Sequence, residues 1–317
     1  MMLKARTCTL ALALFTMAVL TPANALLRGS APVTGNSTAK ANTGTGNSTA
    51  KAKAATAIDD FHSLIKKKAP WGIYDAAGWS AADGKLPEGA KNGKDVVSEG
   101  TIKYGSGAGN GAKGNVSFIS GGTTSRLNWP EGSIPTRFTI CSIARYVGGA
   151  NERILQAADT TGNWLHGHWR NRVGKAYYDG WKTDDGPANG HTDWAVVCGS
   201  NGLPTPINIL YDGAPVGTVS GGTSPGQLAV NPLTYVPPEE FSDWALSIVA
   251  IWDQHLSAEE MQTASDALME YLATGRRILE SPAEAPLCSP VTTSTTTSTA
   301  TMTTTTTTTV NCPEEAA

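Results

Sequence analysis

The chain has 317 residues, with 24 Lys plus Arg against 27 Asp plus Glu and a formal net charge of −3. That balance excludes a strongly basic nucleic-acid-binding surface and gives no reason to expect attraction to an anionic membrane. With 34 Gly, 9 Trp and only 16% charged residues, the composition describes a Gly- and Trp-rich globular protein whose two polar ends contribute little to a core.

Lys4 and Arg6 precede an apolar run from Leu10 to Leu20, and Ala23-Asn24-Ala25 has the small-x-small form of a cleavage site. Residues 1–25 therefore read as a signal peptide, and the apolar run is short of the about 20 residues that cross hydrocarbon. The expected product is secreted or displayed at the cell surface through the secretory pathway, with no direct membrane insertion after cleavage. Residues 26–57 contain GNSTAKAN followed by GNSTAKAK, with almost no large apolar side chain. Such a segment cannot repay the entropy of ordering, and it reads as a disordered linker. Asn36 and Asn47 begin N-S-T and Asn115 begins N-V-S, which are glycosylation acceptor sequences in an exported chain.

Residues 58–280 hold all nine tryptophans. A short helix is expected near 58–65, ended by Pro70. Short apolar or alternating runs then follow at 96–104, 116–120, 137–147, 153–158, 163–169, 173–178, 192–198, 207–211, 228–230 and 244–251, separated by Gly, Pro, Asn and Asp. This spacing predicts an antiparallel sandwich. From Thr192 onward, Trp194, Val196 and Cys198 share one strand face and Ala195 and Val197 the other, which predicts an inner strand. Phe138, Ile140, Ala144 and Tyr146 likewise share a face, with Cys141 opposite in phase. Asp179-Gly180, Asp185-Gly186 and Asp212-Gly213 supply turns. Pro237-Pro238 places 231–241 in a loop. The Gly105 segment GSGAGNG lacks a following Lys-Ser/Thr and reads as a loop rather than a phosphate cradle. Ser257 and Glu260 form a capping box, with Met261, Ala264, Leu268, Tyr271 and Leu272 on one side of the helix and Gly275 placed to stop it.

Residues 281–317 are Thr- and Ser-rich and read as a disordered, mucin-like tail. Cys141, Cys198, Cys288 and Cys312 permit two disulfides in an exported chain. Cys141 with Cys198 is the favoured pair, because both lie in apolar strand-like runs. Cys288 and Cys312 flank the low-complexity tail.

The stretch SDWALSIVAIWDQHLSAEEMQTASDALMEYL, with Trp252, Asp253, Leu256, Ser257, Glu260 and Met261 as its distinguishing residues, resembles the closing strand and helix of the concanavalin A-like lectin/glucanase superfamily. It looks most like laminin-G-like domains. FTICSIARYVGG, ERILQAADTTGNWLHGHW, AYYDGW, DWAVVCGS and INILYDGAPVG are similar to the middle strands of such domains. The resemblance implies an all-β, two-sheet antiparallel jelly-roll sandwich with a closing C-terminal helix. The scaffold serves sugar binding, adhesion, calcium-dependent contacts and glycan hydrolysis alike, so function must be argued from the site.

The enzyme branch of that superfamily carries an E-x-D-x-E strand, and this sequence has none; Glu88, Glu99, Glu131 and Glu152 stand apart. Hydrolysis is therefore disfavoured, and no catalytic residue is expected. His166 and His168 alternate around Gly167, and would project to one face. With His191, Asp193 or Asp184 they would suit a transition metal; a structural or ligand-contact role is the preferred reading. Asp179, Asp184 and Asp185 form the best local oxygen cluster for calcium, the ion the resemblance implies, although Asp-Gly pairs also serve simply as turns. No cofactor is required. Trp169, Trp181 and Tyr178, with His166, His168 and His191 near them, are the candidate ligand-binding set, since aromatic faces stack on sugar rings. The expected function is non-catalytic recognition of a glycan or extracellular glycoprotein through loops and a concave sheet face. The alternative is a protein–protein adhesion or structural module.

Overall fold

The computed structural model describes residues 56–90, 93–159, 162–184, 186, 189–233 and 240–279. The signal peptide, linker residues 26–55, the tail, Asn36, Asn47, Asp185, Cys288 and Cys312 lie outside the described residues. The helix expected at 58–65 is α1, Ala57–Lys67, and it starts inside the segment read as linker. Thr56 accepts the Asp59 amide and the Asp59 carboxylate accepts the Thr56 amide, so the cap reaches two residues beyond the apolar pattern.

Among the described residues, fifteen strands form two sheets. They are β1 (Gly72–Asp75), β2 (Lys85–Leu86), β3 (Val96–Glu99), β4 (Lys103–Gly109), β5 (Ala112–Gly121), β6 (Arg126–Asn128), β7 (Thr139–Tyr146), β8 (Leu155–Ala157), β9 (Trp164–Trp169), β10 (Arg172–Tyr178), β11 (Ala195–Ser200), β12 (Ile209–Tyr211), β13 (Ala214–Pro215), β14 (Leu228–Val230) and β15 (Trp244–Trp252). The first sheet runs β13-β12-β11-β7-β15-β5-β4, with β1 also paired to β15, and the second runs β10-β9-β8-β14-β6-β3-β2. The ladders between these strands are antiparallel. This is the two-sheet all-β sandwich expected, closed by α2 (Ala258–Thr274). Ser257 and Glu260 make the capping box, and Gly275 ends the helix at φ 75°, where a side chain would strain the backbone.

The strand phases hold. Phe138, Ile140, Ala144 and Tyr146 of the β7 segment, with Ala195 and Val197 of β11, pack between the sheets. Cys141, Ile143, Trp194, Val196 and Cys198 face the other way, onto α1 and α2. Cys141 and Cys198 stand directly opposite on β7 and β11 and form a disulfide. The face of the first sheet that turns away from the second is thus covered by Ile58, Phe61 and Leu64 of α1 and Met261, Leu268 and Tyr271 of α2. The central strands β7, β11 and β15 of that sheet therefore have both faces packed, whereas β4 at its edge is largely exposed.

Two stretches depart from the sequence expectation. The run at 96–104 is two strands in different sheets, parted at Gly100, whose φ is 79°. A Cβ there would lie 2.7 Å from the Thr124 carbonyl oxygen. The GSGAGNG segment is strand β4 and the Asn110-Gly111 turn into β5, rather than a loop. Its glycines carry no apolar alternation to read. Backbone pairing makes the strand, and Gly105 leaves the space that the Phe118 ring occupies. Strands β1, β2, β6 and β13 are too short or too irregular in pattern to have been expected.

Gly114 lets α2 end directly on β5, since a Cβ there would lie 1.9 Å from the Gly275 nitrogen and 2.3 Å from the Thr274 carbonyl carbon. Gly114→Ala should lower stability by about 3 kcal/mol or more, because two backbones rather than a movable side chain must give way. Urea denaturation measures this, and an unchanged midpoint would show that the helix end is not seated on the strand.

Candidate functional site

The ribbon β9–β10 is the edge of the second sheet, and its two-residue turn fixes what it displays. Arg170 and Asn171 have φ of 46° and 57°, the pairing a tight hairpin turn requires. Trp169 and Arg172 are therefore cross-strand partners. Alternation then sets the faces along β9. Trp164, His166 and His168 point between the sheets, whereas Trp169 points out. On β10 the inward residue is Tyr178 and the outward one Tyr177. Asp179 and Gly180, at φ 53° and 131°, turn the chain back so that Trp181 bridges to Tyr177.

The outward side chains form an aromatic ridge. Trp169 and Trp181 have ring centroids 4.6 Å apart, and Tyr177 meets Trp181 edge-on at 5.2 Å. All three rings are half-buried. The guanidinium carbons of Arg170 and Arg172 each lie 5.0 Å from the Trp169 ring centroid. Arg172 also donates to the Gly186 carbonyl. Below the ridge, Arg153 and Glu240 make a mostly buried ion pair at 2.6 Å. Burial pushes the nearby Glu152 carboxyl up from the ordinary carboxylate range, with Arg170 opposing that shift. Arg170, Arg172 and Tyr177 were not singled out from sequence. The turn puts Trp169 and Arg172 on one face, and the bulge at Gly174, between Val173 and Lys175, then carries that face to Tyr177 rather than Tyr178, a shift that sequence alternation does not record.

The inward set has a different role. His166, His168 and Tyr178 are 0%, 1% and 0% exposed, so none has surface to offer a ligand. Tyr178 stacks on Trp164 at 5.0 Å and meets Phe138 edge-on at 5.1 Å. The Val197 carbonyl can only accept, so His166 donates from Nε2 across 3.2 Å. Its Nδ1 then accepts from the Tyr178 hydroxyl at 2.8 Å. The His168 ring packs edge-on against Tyr146 at 4.8 Å. Burial holds His166 near a pKa of about 4 and His168 near about 3, far below the imidazole norm. His191 is half-buried before β11, with Nε2 at 2.7 Å from the Tyr211 hydroxyl, and is near enough to His168 to add to the lowering of its pKa.

Of the three carboxylates expected for calcium, Asp179 and Asp184 are among the described residues and Asp185 is not. Asp179 sits exposed in the turn after β10, and Asp184 is bonded at 3.1 Å to the Lys175 ammonium, which lowers its pKa. Among the described residues, no three His, Cys, Asp or Glu side chains come together as a metal site. Asn115 is exposed on β5. A cleft of about 360 Å³ lies away from the ridge, lined by Lys103, Ser120, Thr124, Val147 and Asp243 among others. It contains no aromatic ring.

No family model and no curated protein matches the chain. Solved structures similar to it include a sialidase from Trypanosoma rangeli in complex with sialic acid, at 14% identity and TM-score 0.41. That alignment covers 64% of this chain and 33% of the sialidase. Domain 4 of AbnA, a GH43 extracellular arabinanase from Geobacillus stearothermophilus in complex with arabinotriose, aligns at 13% identity and TM-score 0.42 over 62% of this chain and 97% of that domain. A botulinum neurotoxin type C structure, described as interacting with two ganglioside molecules, aligns at 12% identity and TM-score 0.43 over 65% of this chain and 53% of its own. The chain thus spans about a third of the sialidase it matches.

The buried imidazoles make stability pH-dependent. Their folded pKa values lie below the unfolded value of about 6.5, so below that pH the unfolded chain takes up protons that the folded chain refuses. Stability should be full above pH of about 6.5 and fall by up to about 1.4 kcal/mol per histidine per pH unit on acidification towards pH 4. Melting temperature measured from pH 7 to 4.5 should show this slope, and His168→Gln should flatten it. A pH-independent melt would contradict the burial of both rings.

Proposed function

We propose that this chain is an exported, non-catalytic recognition module that binds a glycan at the ridge formed by Trp169, Tyr177 and Trp181. The observation that carries the reading is the pairing of half-buried aromatic rings with guanidinium groups on a rigid sheet edge. Aromatic faces stack on the apolar faces of sugar rings, and flanking donors orient hydroxyl groups. A hairpin closed by a tight turn loses little freedom when a ligand arrives, which favours affinity.

The finer fold assignment belongs to the same proposal: a laminin-G-like member of the concanavalin A-like superfamily, supported by the sandwich and its closing helix. Export is supported by the amino-terminal sequence of residues 1–25. No helix among the described residues is long and apolar enough to cross a membrane. The partner is then a glycan or a glycoprotein that displays one, and the reading requires no metal.

The full exported chain should bind a subset of saccharides on a glycan array. Trp181→Ala should weaken that binding by about tenfold or more, equivalent to about 1.4 kcal/mol, while thermal melting stays near the parent value. Retained binding in that variant would remove the ridge from the argument. Absence of any saccharide binding by the parent chain would favour a protein-adhesion role instead.

A further inference from the structure

An outer strand presents a row of N–H and C=O groups that can template pairing with another chain, and folded proteins blunt such edges. Most outer strands here are blunted among the described residues. β2 and β13 have two residues each, and β13 contains Pro215. Along β10, the Asn189 side chain accepts from the Val173 amide and donates to the Val173 carbonyl, Thr183 Oγ1 accepts from the Ala176 amide, and the Lys182 amide donates to the Ala176 carbonyl. On β1, the Ile73 amide donates to the Glu88 carboxylate and the Ile73 carbonyl accepts from the Gly89 amide. β4 differs. It has seven residues, each exposed or half-buried, and among the described residues its only ladder is with β5. Where that ladder slips, between the pairs Gly107–Val116 and Gly109–Ala112, the additional residues belong to β5 and not to β4. The strand contains no proline, and Lys103 at its start is its one charged residue.

We propose that β4 pairs antiparallel with β4 of a second copy of this chain, about a two-fold axis at Ser106, so that the first sheet continues through both molecules. Two identical strands related by a two-fold axis run antiparallel, and each residue then meets the one equally far on the other side of Ser106. Tyr104, 51% exposed, faces exposed Ala108 of the second copy and gains an apolar neighbour. Gly105 faces Gly107, so no side chain obstructs the approach. Lys103 faces neutral Gly109, whereas a parallel arrangement in register would set the two lysines side by side. The turn that follows Gly109 has exposed Asp193 beside it, since a Cβ on Gly111 would lie 3.2 Å from the Asp193 Cβ, so each Lys103 is directed towards the acidic end of the other strand. The inference is independent of the glycan reading, because the ridge lies on the second sheet. Under that reading, such a pair carries two ridges and gains avidity on a surface that repeats its saccharide.

Sedimentation equilibrium of the full chain from about 1 to 200 µM should show a mass that rises with concentration towards twice that of one chain. Ser106 is exposed and meets its own counterpart, so a charge placed there repels itself. Ser106→Asp and Ser106→Lys should each weaken association by about tenfold or more while melting near the parent temperature. Mixing the two variants in equal amounts should restore the double mass, because the pair then carries opposite charges across the axis. That restoration separates a designed contact from loss of folding. A parent chain that stays monomeric across this range overturns the proposal. Association that survives both substitutions overturns it, as does a mixture no more associated than either variant alone. None of these results bears on saccharide binding at the ridge, which the array reads separately.

Discussion

The structure depends on a sheet that is buried on both sides. Strands β7, β11 and β15 send alternate residues to the second sheet and to the helices, so neither face is left to solvent. That requirement explains why β15 is buried at every position, and why Cys141 and Cys198 are linked beneath α2 rather than on an outer surface. It also explains why α2 closes the fold, since without its apolar side half of the inner strand residues would meet water.

With the central strands of the first sheet covered, the aromatic ridge stands at the edge of the second. There the hairpin turn at Arg170-Asn171 and the reversal at Asp179-Gly180 direct side chains outward. A strand has only two faces, so the residues that build the ridge and those that build the core interleave one by one. Trp169 is at the surface while His168 beside it is sealed in, and Tyr177 joins the ridge while Tyr178 stacks on Trp164. The same ribbon therefore packs the core with one face and presents aromatic rings and guanidinium groups on the other.

Polar groups hold the sandwich together where the chain crosses between elements. Buried Asn231 donates to the carbonyls of Gly122, Ser125 and Ser242 and accepts from the Ser242 amide. It thereby ties the segment before β15 to the β5–β6 connection. Satisfying so many buried backbone groups with one amide removes the cost of leaving them unpaired in the interior. Tyr146 works similarly, with its hydroxyl donating to the Glu152 carbonyl at 2.7 Å near the base of the ridge.

Local chemistry alone determined the elements that depend on neighbours in sequence. Period-two alternation marked β7, β9, β10, β11 and β15, the Ser257–Glu260 box and Gly275 marked α2, and two cysteines in apolar runs marked the disulfide. Tertiary structure alone decided the rest. Gly-rich β4 has no side-chain pattern and exists through its pairing with β5, and the break at Gly100 depends on a carbonyl brought in from Thr124. Which aromatics are surface and which are core was also decided in three dimensions. Composition near Trp169 names the rings, but their direction follows from register, from turns of fixed length and from what lies across the sheet.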